Sequence, residues 1–215
     1  MKVTVTHLMG TNREIADYAR TTIGLNGGDK KVSDEYMRKL YLCEHSPIRN
    51  QWYKIRFENI PYCIGMHFAR HKIGVEHFFS TQRSDRTGID RSERKQTDPV
   101  LYEMVANAQA IITISRKRLC NCADKDTVKA WNMALEELNK INPTLVSCCV
   151  ADCVYRGHCM EHKSCNYHKT FAFKEELEMY RENIMTCVAE KRIFQYTIFN
   201  WMYWVNKSRR RSVCQ

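Results

Sequence analysis

The segment from residue 69 to residue 86 reads ARHKIGVEHFFSTQRSDR and concentrates hydrogen-bond donors around one glycine. Arg70, Lys72, Arg83 and Arg86 supply positive charge, and Gly74 interrupts the run. A phosphate group needs several charge-assisted donors that converge from a fixed backbone, and arginine supplies them as a planar fork. The segment is therefore a candidate site for a phosphate-bearing ligand. A solvated basic face is the alternative that composition alone allows.

The composition of the whole chain agrees with an anionic ligand. The 215 residues carry a formal net charge of +10, so the expected partner is a nucleotide, a cofactor phosphate or a nucleic acid. The length suits one large domain or two small ones. No apolar run approaches the roughly 20 residues of a membrane helix, and the first residues lack the apolar core of a signal peptide. Eleven cysteines, an odd number, then favour reduced thiols in a cytoplasmic protein.

Periodicity and capping residues predict the elements around this segment. Strands are expected over residues 1–8, 51–58 and 75–80, and residues 83–98 are expected to form a polar, basic loop. Helices are expected from Asn12 to about Ile23, from Ser33, from Pro61 in a first turn, from Asp98-Pro99, from Asp124 to before Pro143, and from about Lys174 to Lys191. The buried stripe of the helix at Asp98-Pro99 would be Val100, Met104, Ala108, Ile111 and Ser115.

The order Arg70-His71-Lys72, Ser80 and Arg83 resembles the signature of the flavin-dependent thymidylate synthases. That signature reads Arg-His-Arg, two residues, Ser, one residue, Asn, two residues, Ser, one residue, Arg. Here Lys72 replaces the third arginine, Val75 the first serine and His77 the asparagine, and the last arginine comes one residue late.

Five further features resemble the same family in the same order along the chain. Ala19-Arg20-Thr21-Thr22 is similar to its Ala-Arg-x-Ser segment, and Glu44-His45-Ser46-Pro47 to its His-x-Ser/Thr-Pro turn. Pro61 stands nine residues before Arg70, like the family's helix-opening residue. Asn107-Ala108-Gln109 stands eleven residues before Arg118, similar to Asn-Ala-Arg followed by a substrate-binding arginine, and Ala123 begins a segment like the family's Ala-Gln-x-Glu. The resemblance covers roughly residues 1–140.

The resemblance implies an α+β fold in which a mostly antiparallel sheet is flanked by helices. Residues 1–143 would form the catalytic domain, and residues 144–215 a cysteine-rich segment, a helix and a basic tail packed on the same domain. The family binds FAD and dUMP in sites shared between subunits of a homotetramer. It converts dUMP to dTMP with methylenetetrahydrofolate as one-carbon donor and NADPH as reductant of the flavin. A nucleotide is therefore the expected ligand rather than a nucleic acid, and no membrane is involved.

The resemblance also assigns roles residue by residue. The predicted FAD ligands are Arg70, His71, Lys72, Thr22, Ser46 and Asn107. The predicted dUMP ligands are Ser80, Thr81, Arg83, Arg91, Arg94 and Arg118. The predicted catalytic residues are Arg118, which would orient the pyrimidine, and His67, which stands in place of a family glutamine near it. For Arg118 the alternative is a helix C-terminal arginine that satisfies carbonyl groups.

Several positions depart from the family pattern. Glu44 falls where the family has a histidine, Gln109 stands where an arginine is usual, and Arg49-Asn50 replaces a glutamate-histidine pair. These positions concern flavin and folate handling. A related reaction is therefore a second hypothesis: another one-carbon transfer, such as hydroxymethylation, or another pyrimidine nucleotide.

The cysteine-rich segment has no counterpart in the family pattern. Four thiolates would make a tetrahedral zinc or iron–sulfur site. The candidate ligands are Cys153, Cys159 and Cys165 with Cys120 as the fourth, or Cys149, Cys148, Cys122 or His168 in its place. The alternative is burial of scattered thiols as small hydrophobic groups. A zinc-containing nucleic-acid-binding protein on a decayed enzyme fold is the third hypothesis, supported by the charge, by these cysteines and by the altered motif.

Overall fold

The computed structural model describes residues 1–28 and 31–181, which form an α+β fold around one four-stranded antiparallel sheet. The strands are β1 (Lys2–Met9), β2 (Trp52–Pro61), β3 (Val75–Phe79) and β4 (Pro99–Asn107), in the order β1-β2-β4-β3. The described α-helices are α1 (Asn12–Thr21), α2 (Asp34–Leu42), α3 (Tyr62–Phe68), α4 (Ser84–Thr87), α5 (Ala108–Arg118), α6 (Lys125–Asn139), α7 (Pro143–Val146), α8 (Asp152–Arg156) and α9 (Phe171–Arg181). The predicted fold class, an antiparallel sheet flanked by helices, is confirmed.

Side-chain caps begin the helices close to where the sequence predicts. Ser33 accepts a hydrogen bond from the backbone N–H of Tyr36 at the start of α2, and Asp124 does the same for Thr127 at the start of α6. The cap of α1 is Thr11 rather than Asn12, since Thr11 and Glu14 form a reciprocal capping box. The helix then ends at Thr21, two residues earlier than expected.

Strand β2 lies in the middle of the sheet and carries much of the core. Tyr53, Ile55 and Phe57 are each at most 1% exposed, whereas the alternate residues Lys54 and Arg56 are only partly buried. Antiparallel ladders join β2 to β1 on one side and to β4 on the other. The alternation in residues 51–58 is therefore a half-buried strand, as predicted.

The prediction for residues 99–107 was wrong, because this segment is strand β4 and not the start of a helix. Val100, Tyr102, Met104 and Ala106 are buried at every second position, and β4 pairs with both β2 and β3. The helix α5 starts only at Ala108. A spacing of four residues fits one face of a strand as well as one face of a helix, so the apolar stripe could not distinguish them.

Two smaller predictions also need correction. Pro61 ends β2 and is the N-cap of α3 rather than a residue of its first turn. The expected loop at 83–98 contains the short helix α4 and a 3-10 turn at Arg91–Glu93. Both elements are exposed, so local capping rather than burial accounts for them.

Stacked aromatic side chains fill the space between the sheet and the helices α3 and α6. Phe68 of α3 lies between Phe57 of β2 and Trp131 of α6, with ring centroids 5.4 and 5.6 Å away, and it also stacks on Tyr102 of β4. All four side chains are fully buried. This packing holds the end of α3 against the sheet, and the basic segment follows directly.

A second, smaller apolar cluster lies in the cysteine-rich region. Its buried members are Ala151, Val154 and Phe173, and Leu119 packs against both clusters. The last predicted helix begins at Phe171 as α9 and is described to Arg181. Its expected continuation to Lys191, the aromatic segment 194–204 and the arginines 209–211 lie outside the described residues. Among the residues described, no helix combines the length and apolar character needed to span a membrane.

Candidate functional site

The motif residues Arg70, His71 and Lys72 lie on the tight connection between α3 and β3. Gly74 closes this turn with φ = +71°, and a Cβ atom there would lie 2.7 Å from Nδ2 of Asn107. The backbone N–H of Asn107 donates to the carbonyl of Gly74 at 3.0 Å. Only glycine fits this conformation and this approach without strain, so the turn is held against the start of α5.

His77 on β3 fixes the backbone of the motif. Its Nε2 lies 2.6 Å from the carbonyl oxygen of His71, and its Nδ1 lies 2.8 Å from the hydroxyl of Tyr102. Because a carbonyl only accepts, Nε2 carries the proton and donates to His71, while neutral Nδ1 accepts from Tyr102. The histidine that replaces the family asparagine therefore anchors the turn to the middle of the sheet.

Arg118, at the end of α5, reaches the same turn. Its Nε donates to Nε2 of His71 at 3.1 Å, and its Nη2 donates to the carbonyl oxygen of His67 at 2.5 Å. A guanidinium group has five N–H donors, so two are used and three remain for a ligand. The carbonyl groups of its own helix are not its partners, which argues against a mere helix-terminal role.

The imidazole of His71 stays neutral in this arrangement. Burial, the charge of Arg118 and neighbouring His77 lower the pKa of His71 to about 4. Because Nε2 accepts from Arg118, the single proton of the neutral ring lies on Nδ1. His71 therefore orients the guanidinium without adding or cancelling charge.

The site has a surplus of positive charge. Burial and the nearby charge of Arg70 both lower the pKa of Arg118, so the two cations repel one another. Within the described part of the chain, neither Arg70, Lys72 nor Arg118 has a carboxylate partner. The side chains of Arg70 and Lys72, on either side of His71, are exposed. An anionic ligand would relieve this repulsion.

His67 is held by a short relay from α6. Its Nδ1 lies 2.6 Å from Oγ1 of Thr127, and that hydroxyl donates to Oδ1 of Asp124 at 2.8 Å. Because the threonine proton is committed to the carboxylate, Nδ1 of His67 is the donor and neutral Nε2 is left as an acceptor. Hydrogen bonds from the backbone and side chain of Thr127 lower the pKa of Asp124 and keep it ionised.

The other three predicted FAD ligands occupy structural positions in the fold, and only one of these three, Asn107, is described in contact with the motif turn. Asn107 is buried and caps α5, its Oδ1 accepting from the backbone of Ala110 at 2.9 Å. Thr22 donates to the carbonyl of Ala19 at 2.7 Å, and Ser46 begins a 3-10 turn (Ser46–Asn50) that packs on α1. Both hydroxyl residues are exposed. Of these three residues, Asn107 is the one whose contact with the turn at 70–74 is described, through Gly74.

The predicted phosphate ligands lie together on the segment after β3, but most are engaged locally. Oγ of Ser80 accepts from the backbone of Leu101, and Oγ1 of Thr81 accepts from that of Arg83. Arg83 is held by both carboxylate oxygens of Asp85, at 2.9 and 2.8 Å. Arg91 is exposed, and the buried Nε of Arg94 has no hydrogen-bond partner among the described residues.

Two positions that depart from the family pattern contact each other. Gln109 donates through Nε2 to Oε2 of Glu44 at 2.6 Å, and Arg116 forms an ion pair with the other oxygen of Glu44. The Arg116 guanidinium also lies 3.5 Å above the ring of Tyr155. Burial opposes ionisation of Glu44, but its bonds to Arg116 and Gln109 lower its pKa overall. Glu44 and Gln109, which each differ from the family pattern, are therefore hydrogen-bonding partners of one another.

The cysteines separate into two groups. Cys148 and Cys149 are buried in the main core, where each thiol donates to a carbonyl of the preceding turn, so the alternative ligand Cys149 lies apart from the others. Cys120, Cys153, Cys159 and Cys165, in contrast, line one small cavity together with His168.

A larger cavity lies elsewhere, between β1, α1 and α7. It has a volume of about 550 Å³ and is lined by none of the predicted ligands. Buried Asn142 in its wall donates to the hydroxyls of Tyr53 and Tyr41, so this wall is braced by a polar network.

Sequence reasoning missed four residues that build the site: His77, Tyr102, Thr127 and Asp124. His77 stood within the basic motif, but only as a departure from the family pattern. Asp124 was predicted only as a helix cap. The hydroxyls of Tyr102 and Thr127 carry no local signal, because their partners are 25 and 60 residues away along the chain.

No family model matches this chain, and no curated protein matches it. Solved structures do. A flavin-dependent thymidylate synthase ThyX from Helicobacter pylori, complexed with FAD and dUMP, superposes with a TM-score of 0.56 at 13% identity, over 70% of this chain and 100% of that one. The UMP/dUMP methylase PolB from Streptomyces cacaoi, bound with 5-Br dUMP, gives 0.54 at 12% identity, over 68% and 94%. The chain therefore shares the fold of these nucleotide-modifying enzymes.

Proposed function

We propose that this protein is a flavin-dependent thymidylate synthase that methylates dUMP to dTMP. Methylenetetrahydrofolate would donate the one-carbon unit and NADPH would reduce the bound FAD. The observation that carries the proposal is the contact of Arg118 with His71. It joins the two most informative motif segments in one cationic site, on a fold shared with a ThyX that was solved with FAD and dUMP.

The residues at the motif turn fit a cofactor with a diphosphate group. Arg70 and Lys72 are exposed and carry no ion pair within the described residues, and the neutral ring of His71 lies between them. His77 and Asn107 hold the backbone of the turn, so the cations project from a fixed base. Because the backbone is already fixed, binding a phosphate costs mainly the entropy of the two side chains. FAD, when bound, would supply the hydride chemistry of the reaction.

Arg118 and His67 would bind and orient the pyrimidine. The three remaining N–H groups of Arg118 can donate to a uracil carbonyl, and its cationic charge stabilises negative charge that develops on that oxygen. Nε2 of His67 can accept from the N3–H of the ring, since the relay through Thr127 keeps the proton on Nδ1. Both side chains are held by hydrogen bonds on the protein side. Such positioning lowers the entropic part of the barrier.

The basic segment after β3 would bind the nucleotide phosphate. The buried Nε of Arg94 has no hydrogen-bond partner among the described residues and is a candidate donor, and Arg83 is held in place by an exposed aspartate that a phosphate can displace. Ser80, Thr81 and Arg91 lie on the same stretch. Thr22 and Ser46 lie on elements apart from this segment, which supports a site completed by a second copy of the chain, as in a homotetramer.

The test is a turnover assay with the purified full chain, FAD, dUMP, methylenetetrahydrofolate and NADPH, with products identified by mass. We expect dTMP, formed only when FAD and both co-substrates are present. Arg118→Ala should lose most turnover, whereas Lys140→Ala, which removes an exposed ion pair with Glu137 on α6, should not. Absence of any modified nucleotide from FAD-loaded protein would contradict the proposal.

A related one-carbon transfer is the second candidate, and the contact of Gln109 with Glu44 favours it. A carboxylate–amide pair stands where the family pattern has histidine and arginine, and this changes the charge available to folate or flavin. The same assay distinguishes the two, because a hydroxymethylated product would select the second candidate. UMP should be offered beside dUMP, since the structural neighbour PolB is a UMP/dUMP methylase.

A further inference from the structure

Four cysteines lie around one small cavity at the junction between α5 and the cysteine-rich segment. Cys120 lies two residues beyond Arg118, Cys153 lies in α8, and Cys159 and Cys165 lie between α8 and α9. All four line a single cavity of about 20 Å³. A space of this size holds one water-sized body, so its natural occupant is a single ion rather than an organic ligand.

The structure around this cavity lacks the apolar packing that would hold it together. Only Ala151, Val154 and Phe173 are buried in the local cluster, and residues 158–166 form no helix or strand and are mostly exposed. The described cysteines are all free thiols, so no disulfide closes this segment. Small segments with such limited cores are usually held by a metal or by disulfides.

We propose that Cys120, Cys153, Cys159 and Cys165 bind one Zn²⁺ ion as a tetrahedral tetrathiolate. As the side chains stand, no three His, Cys, Asp or Glu groups in residues 1–28 and 31–181 are arranged to hold a metal. Binding therefore requires the four thiols to rotate toward the cavity that they line, with loss of their protons to solvent. Zinc favours this geometry because it accepts four soft ligands without a d-electron preference.

Two neighbouring donors are the alternatives to this set. Cys122 is exposed and its thiol donates to the carbonyl of Lys163 at 3.5 Å, on the rim of the cluster. His168 lines the cavity, but its Nδ1 lies 3.2 Å from Oγ of Ser164. The four proposed cysteines all line the cavity and Cys122 does not, although the Cys122 thiol is hydrogen-bonded to Cys120 and Cys165.

The site would brace the end of α5. Lys117, next to Arg118, already forms ion pairs of 3.7 Å with Asp152 of α8 and with Glu161. Both pairs involve a lysine that is more than half exposed and contribute little by themselves. A zinc ion bound to Cys120 and Cys153 would join the same two elements by covalent-strength bonds.

The test is the metal content of the full chain, purified without chelators and analysed by inductively coupled plasma mass spectrometry. We expect one zinc per chain, and we expect replacement by Co²⁺ to give the intense red-region d–d absorption of a tetrahedral thiolate site. Cys153→Ser and Cys159→Ser should lower zinc occupancy at least several-fold, whereas Cys43→Ser, at the exposed end of α2, should not.

Cys122→Ser and His168→Ala test the alternatives, since loss of zinc in either would overturn the proposed ligand set. If the ligand variants do not fold, thiol alkylation of the wild-type chain with and without zinc decides the question. Zinc should protect the four proposed cysteines and leave Cys43 reactive. Metal-free protein that takes up no zinc, bound iron with sulfide, or a disulfide among these cysteines would overturn the proposal.

Discussion

Arg118 donates through Nε to Nε2 of His71 at a distance of 3.1 Å, although the two residues are 47 positions apart. The contact places the end of α5 against the turn between α3 and β3. In this contact Arg118 is the cationic donor and His71 is the neutral acceptor, so Nε2 of His71 carries no proton. This is the relationship on which the proposed nucleotide site depends.

Replacement of Arg118 should weaken nucleotide binding and leave flavin bound. Arg118→Lys keeps a positive charge but loses the planar fork that His71 and the carbonyl of His67 now orient. Charge-assisted hydrogen bonds contribute about 1.5–3 kcal/mol each, so KM for dUMP should rise about 10-fold or more. Steady-state kinetics and the flavin absorbance of the purified variant measure the two effects separately. An unchanged KM would contradict the assigned role.

The stability of the protein should fall in acid because His71 is held as a neutral group in a half-buried position. Its folded-state pKa is about 4, below its ordinary value of 6.5, so the unfolded chain binds more protons between these values. The free energy of unfolding contributed by this group is therefore complete above pH 6.5 and is lost as the pH falls toward 4.

Urea unfolding of the wild type and of His71→Gln measures this effect. Glutamine keeps an acceptor for Arg118 but does not titrate. After allowance for solvent screening of this half-exposed ring, we expect the wild type to lose about 1–2 kcal/mol more than the variant between pH 7 and pH 4.5. Parallel pH profiles for the two proteins would show that His71 is not the titrating group.

Gly74 and Gly88 make a matched pair of positions for testing the motif turn. Both have φ = +71°, but a Cβ at Gly74 would lie 2.7 Å from Asn107, while nothing lies within 4 Å of one at Gly88. Gly88→Ala should cost about 1–2 kcal/mol from the left-handed backbone alone. Gly74→Ala should cost about 1–3 kcal/mol more, because the turn must also move away from α5. Equal losses in thermal or urea unfolding would show that the close approach is unimportant.

The relay behind His67 should affect turnover more than nucleotide binding. Thr127→Val removes the hydroxyl that accepts from His67 and donates to Asp124, with little change of shape. His67 then loses its fixed tautomer and orientation, and we expect kcat to fall about 10-fold because the pyrimidine is held less accurately. Thr127→Ser retains the hydroxyl and should keep kcat near that of the wild type. If Val and Ser variants have the same kcat, the relay does not act through the hydroxyl.

Local sequence signals predicted the parts of the fold that depend on neighbouring residues. The caps at Ser33 and Asp124 and the alternation along β2 are of this kind, since each is defined within a few positions. Local signals did not predict strand β4, which the sequence pattern assigned to a helix. Its apolar residues recur every four positions, and only pairing with β2 and β3 decides between strand and helix.

The sequence predicted which residues belong to the candidate site but not which partners hold them in place. The basic motif, Asn107 and Arg118 were identified from the order of residues. The partners that orient them were not, because His77 needs Tyr102, and His67 needs Thr127, from distant parts of the chain. Likewise, Glu44 and Gln109 each read as an isolated departure until their contact showed that one compensates the other.

The sequence by itself determined the charge, the identity of the donor groups and the capped starts of α2 and α6, since these follow from side-chain chemistry and local backbone preference. The tertiary structure alone decided which donors meet, which histidine nitrogen carries its proton and which cysteines share a cavity. The physical reason is that hydrogen bonds and burial depend on distances between residues far apart in the chain. Only the packed sheet and helices set those distances.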